Sequence, residues 1–81
     1  MKEVFVYLPD PETVQRFVGT LKPLKGDFEL VSENFILDAR SLMGIFNLDL
    51  SRPILLRIYN DSPRNIRAIS GFITEVENFE Q

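Results

Sequence analysis

The chain has 81 residues, with 9 basic and 12 acidic side chains for a formal charge of −3, and it contains neither cysteine nor histidine. A chain this short has room for one domain and buries only ~60% of its unfolded surface; without Cys or His, disulfides, the usual zinc sites and imidazole acid–base chemistry are excluded, and no cofactor or metal is implied. The acidic balance argues against direct nucleic-acid binding, and no apolar run approaches the ~20 residues of a membrane span.

Met1-Lys2-Glu3-Val4-Phe5-Val6 moves straight into an alternating strand with no leader-type apolar region, so a soluble cytoplasmic protein is expected. That strand covers Lys2 to Leu8, with Val4, Val6 and Leu8 on one face and Phe5 and Tyr7 on the other. Asp10 is a good N-cap, and Pro11 suits the first helical position, where its missing N–H costs nothing. Val14, Phe17, Val18 and Leu21 then form the buried stripe of a helix ending near Lys22-Pro23. Lys25-Gly26-Asp27 reads as a turn. Phe28 to Ser32 and Phe35 to Asp38 read as strands joined at Glu33-Asn34 into a hairpin. Ser41 caps a short helix over Leu42 to Leu48, in which Gly44 lowers intrinsic stability. Asp49 to Pro53 is a loop, and Ile54 to Tyr59 is the strongest strand. Ser62 and Pro63 open a long closing helix with a stripe of Ile66, Ile69, Phe72, Ile73, Val76 and Phe79.

The order is βαββαβα. Helical stripes of this kind need one face of a sheet to bury against. The expectation is therefore a single α+β domain over residues 1–81: a four-stranded antiparallel sheet with three helices on one face, an open-faced β-sandwich.

The segment Asp38-Ala39-Arg40-Ser41-Leu42-Met43-Gly44-Ile45-Phe46-Asn47-Leu48 resembles the regulatory-serine segment of HPr, the phosphocarrier of the bacterial sugar phosphotransferase system. The likeness runs at constant spacing from about Asp10 to Glu75, including the Asp27-Phe28-Glu29-Leu30 and Ile54-Leu55-Leu56-Arg57-Ile58 strands. It implies the HPr-like fold. It also implies that Ser41 falls on the serine phosphorylated by a dedicated HPr kinase in Gram-positive members. Family members carry a His-Ala-Arg-Pro run entering the first helix; here the histidine position is Asp10 and the arginine position is Glu12. Histidine phosphocarrier activity is therefore excluded, and Asp10 with Glu12 marks a degenerate carrier site. In kind the chain is similar to the catabolite-repression HPr paralogue, which lacks the histidine and keeps the serine.

Each candidate residue has a plain structural role beside a functional one. Ser41 is an N-cap, and with Arg40 adjacent it is also the candidate phosphorylation site. Leu42, Met43 and Phe46 match the family's apolar docking surface. With Met43 and Phe46 on one side of the helix and Leu42 and Ile45 on another, one pair is expected in the core and the other outside. Phe5, Tyr7, Leu55 and Tyr59 share the outward strand faces and form a candidate homodimer or partner surface. Arg40, Arg52, Arg57, Arg64 and Arg67 supply most of the positive charge; Arg64 and Arg67 sit where the helix dipole disfavours cations and read first as a solvated face. The leading expectation is a regulatory or adaptor module in sugar transport or carbon-catabolite control, not an enzyme. Its partners would be an HPr kinase, a transcriptional regulator or a sugar-transport component. The alternative is a degenerate structural or dimerising domain with no phosphorylation.

Overall fold

A computed structural model describes residues 1–76. The elements begin where short polar side chains can satisfy free N–H groups. Asp10 accepts from the Thr13 amide, Ser41 from Gly44 and Ser62 from Asn65, so each helix opens on the expected cap. In chain order the elements are β1 (Lys2–Val6), α1 (Pro11–Leu21), β2 (Phe28–Ser32), β3 (Phe35–Asp38), α2 (Leu42–Ile45), β4 (Ile54–Ile58), α3 (Pro63–Ile69), a 3-10 turn (Ser70–Phe72) and β5 (Ile73–Thr74).

The strands form one antiparallel sheet in the order β3-β2-β4-β1-β5. Alternation sends Val6, Phe28, Leu30, Ile54, Leu56 and Ile58 to one face. There they meet Val14, Phe17, Val18 and Leu21 of α1, Ile45 of α2 and Ile69 of α3 in a continuous core. Full burial of such side chains contributes about 1.5–3 kcal/mol each, so this single layer of contact dominates folding.

Two expectations are corrected. The sheet has five strands, not four, because the chain after Ile69 does not continue as a helix. Ser70 turns its hydroxyl back onto the Arg67 carbonyl and Gly71 weakens the helix further. The β-branched pair Ile73-Thr74 then finds unpaired backbone on β1, pairing with Val6 and Phe5, while the Tyr7 amide donates to the Phe72 carbonyl. The helical stripe misled because Ile66, Ile69, Phe72 and Ile73 pack against the core in either conformation. Phe72 meets Phe17 edge-to-face at 5.2 Å. Val76 lies beyond β5 in neither helix nor strand, and Phe79 lies outside the described residues. The α-helical part of α2 is also shorter than expected, a single turn extended by tighter backbone bonds from Asn47 to Gly44 and from Leu48 to Ile45.

The α1–β2 connection is pinned to the approach to α3. Asn65 is buried and donates through Nδ2 to the carbonyls of Lys25 and Asn60, both at 2.9 Å. Gly26 passes so close beneath Asn60, at φ +97°, that a Cβ there would lie 2.6 Å from the Asn60 Cβ. Replacing Gly26 by Ala is therefore expected to destabilise the fold by about 1–3 kcal/mol. Gly19 has open space around it on α1, and Gly19→Ala should stabilise by about 1 kcal/mol. Urea unfolding of the two variants beside the wild type checks both signs.

Candidate functional site

The turn leading into α2 is built before the helix starts. Ala39 is fully buried and its amide donates to the Phe28 carbonyl. The Asp38 carboxylate accepts from the Arg40 amide at 2.8 Å, and the Ser41 amide donates to the Asp38 carbonyl at 2.9 Å. These bonds leave Ser41 extended (φ −89°, ψ 93°) at the head of the helix, with Oγ accepting from the Gly44 amide at 3.2 Å.

Gly44 has a local reason to be Gly. A Cβ at that position would lie 2.9 Å from Ser41 Oγ and 3.0 Å from Leu37 Cδ1. The helix-weakening residue is thus the one that lets the serine hydroxyl and β3 close on the same spot.

The structure divides the α2 side chains as the two helical pairs predict. Ile45 is buried and Leu42 packs against the core, while Met43 is 78% exposed and Phe46 39% exposed. Arg40 is occupied elsewhere. Its guanidinium donates to the carbonyls of Leu21 (3.1 Å), Leu24 (2.7 Å) and Gly26 (3.1 Å), and its Cζ lies 5.1 Å from the centroid of the Phe28 ring. Three of its five donors therefore hold the end of α1 and the following turn in place.

At the other candidate centre, Asp10 Oδ1 accepts from the Thr13 amide at 2.8 Å, Pro11 contributes no N–H, and Glu12 follows in the first turn. The Thr13 hydrogen bonds, with a smaller contribution from Arg16, hold the Asp10 carboxyl below its usual value of 3.8. The N-terminus of α1 is thus filled by the chain's own carboxylate. An incoming anion would meet Asp10 and Glu12 together, which repel it. Among the described residues, no group of acidic side chains is arranged to hold a metal ion.

The outward strand face differs in detail from its sequence reading. Phe5 and Leu55 stand opposite each other on β1 and β4. Tyr59 instead turns its hydroxyl to Glu29 at 2.7 Å, and this bond raises its pKa. Arg57 bonds Glu3 at 3.1 Å and approaches Glu29 at 3.8 Å, with Glu3 the main cause of its raised pKa. Tyr7 is partly exposed, and Arg64 and Arg67 lie on the exposed side of α3. Sequence reading passed over Val31 and Ile36, which extend the apolar line across β2 and β3. Their outward parity follows from strand alternation and the two-residue hairpin. An open groove of about 410 Å³ lies between the hairpin turn (Glu33, Asn34, Phe35) and the segment from Asn47 to Ile54. Its lining mixes polar side chains (Glu33, Asn47, Asp49, Arg52) with apolar ones (Phe35, Leu48, Ile54).

No known family profile matches the sequence, and no curated protein does. The structure is similar to the crystal structure of HPr-C-His from Thermoanaerobacter tengcongensis, with a TM-score of 0.71 and 24% sequence identity over 88% of this chain and 89% of that one. The likeness shows that this chain has an HPr-like fold.

The lowered carboxyl at Asp10 carries a pH dependence. Its folded pKa lies below the unfolded value, so its contribution to stability is present above about pH 4 and is lost as pH falls through the lower folded pKa. Asn caps about as well without titrating. The stability difference between wild type and Asp10→Asn should therefore shift in favour of the variant as the pH drops below 4, as read by thermal unfolding across a pH series.

Proposed function

We propose that the protein is an HPr-like module without carrier chemistry, serving as a regulatory or adaptor unit in sugar phosphotransferase or carbon-catabolite control. Protein contacts through Ser41, Met43 and Phe46 carry that role, with Leu42 holding the helix to the core beneath them. The reading rests on one combination: a partly exposed capping serine beside two outward apolar side chains, on an HPr-like fold, in a chain with no histidine.

Chemistry at the former carrier position is disfavoured by Asp10 and Glu12, which leaves recognition. Met43 is unbranched and polarizable and Phe46 is flat, a pair able to adapt to different partner surfaces. Phosphorylation of Ser41 would move the γ-phosphoryl group of ATP onto Oγ, with loss of the hydroxyl proton and release of ADP. It would place about two negative charges beside Met43 and change which partners the surface accepts. Arg40 acts here through position: its clamp on the end of α1 fixes the turn that presents Ser41.

Incubation with an HPr kinase and ATP, followed by intact-mass measurement, tests the regulatory arm. The expected result is a single added phosphoryl group, absent in Ser41→Ala. An unmodified wild-type chain under conditions that modify a control HPr removes it. Affinity capture from the native cell tests the adaptor arm. A partner retained by wild type should be lost by a Met43→Glu, Phe46→Glu double variant that still unfolds cooperatively; retention by that variant contradicts it.

A further inference from the structure

Helices cover one face of the sheet, and strand register orders the other into two parallel rows. Phe5, Leu55, Val31 and Ile36 stand opposite one another on β1, β4, β2 and β3. Two residues further along each strand, about 7 Å away, stand Glu3, Arg57, Glu29 and Asp38 in the same strand order. The first row is apolar. The second carries three carboxylates and one guanidinium, a net charge of −2 by residue type.

The acidic row is only partly neutralised from within. Arg57 is held between Glu3 and Glu29, and Tyr59 closes one oxygen of Glu29. Asp38 meets only the Arg40 amide among the hydrogen bonds of its carboxylate, and its cation partner is absent among the described residues. Beside it a shallow depression of about 140 Å³ is walled by Asp27, Glu29, Ile36 and Asp38. Ile36, at 59% exposure, is the most open apolar side chain of the row. The β3 end of the face therefore offers an apolar contact with carboxylates at its flank.

We propose that this open face docks a basic amphipathic helix of a partner protein. Its apolar side chains would lie along Leu55, Val31 and Ile36, and its Lys or Arg side chains would reach Glu29 and Asp38. The dimensions agree. A helix advances about 5.4 Å per turn and neighbouring strands lie about 4.8 Å apart, so apolar residues on successive turns follow the row from strand to strand. A helix is about 10 Å across, which brings one polar flank over the charged row. Charge selects this occupant over a second copy, because two such faces would bring two acidic rows together in a chain that is itself acidic. The site lies on the sheet face away from the helices, so the inference stands or falls independently of the role assigned to Ser41.

The test is a titration of the isotope-labelled full chain with a synthetic four-turn helical peptide, Leu on one face and Lys on the rest, followed by amide NMR shifts. Shifts should concentrate on the residues of the two rows and weaken as salt rises. A matched peptide with Glu in place of Lys should leave them unmoved. Ile36→Asp should weaken binding about tenfold while leaving the fold intact, since the side chain is already mostly exposed. Val31→Thr, which keeps strand propensity, should weaken it in the same direction. Shifts centred on α1 or α2, equal binding of the Glu peptide, or unchanged binding by both variants would overturn the proposal. So would concentration-dependent shifts of the two rows without peptide, which would make a second copy the occupant.

Discussion

The structure depends on one-sided burial: a single apolar face of a twisted sheet closed by α1. Val6, Leu30, Leu56 and Ile58 on the strands and Val14, Phe17 and Leu21 on α1 are all fully buried. Among the described residues no second core is present to compensate for its loss. This contact sets where α1 begins and ends, and so it places the Asp10 cap at one end and the Arg40 clamp at the other. Among the described residues it also leaves the opposite face of the sheet without a helical layer.

The two candidate centres follow from this placement. At the start of α1 the free N–H groups that would attract an anion are already met by Asp10, with Pro11 removing one donor outright. At α2, a turn anchored by buried Ala39 and braced by Asp38 delivers Ser41 to the head of a one-turn helix. That helix is too short to be stable by itself. Ile45 holds it to the core, and its other side turns Met43 and Phe46 outward. Presentation of the surface is thus a consequence of packing beneath it.

Much of this was legible from residue types alone. Three caps, the hairpin at Glu33-Asn34 and the alternation of the first strand all follow from periodicity and local hydrogen bonding, and the structure has them. The fifth strand was not legible, because Ile66, Ile69, Phe72 and Ile73 satisfy a helical stripe and a turn-plus-strand equally well. What decides is the unpaired edge of β1, a tertiary fact. Arg40 was misleading for a related reason. Its position beside Ser41 suggests a phosphate contact, but its length lets it reach carbonyls at the end of α1 and in the turn that follows, 14 to 19 residues away in sequence. Tyr59 looked apolar by parity, whereas its hydroxyl found Glu29 across the sheet. The role of Gly44 needed coordinates, since only they bring Leu37 and Ser41 Oγ against the same point.

On the reading proposed above, an HPr-like fold without histidine offers surfaces in place of a reactive nitrogen. The α2 side offers a serine and two adaptable apolar groups, and the sheet side offers an apolar line with acidic edges. Both are the recognition features proposed above, and neither requires the first helix to receive an anion. The most direct check on that division is a titration of the labelled protein with inorganic phosphate, monitored at the amides of Glu12, Thr13 and Val14. The account predicts no saturable shift at these three amides, because Asp10 already occupies the helix terminus. A saturable shift confined to them would contradict it and restore the start of α1 as an anion site.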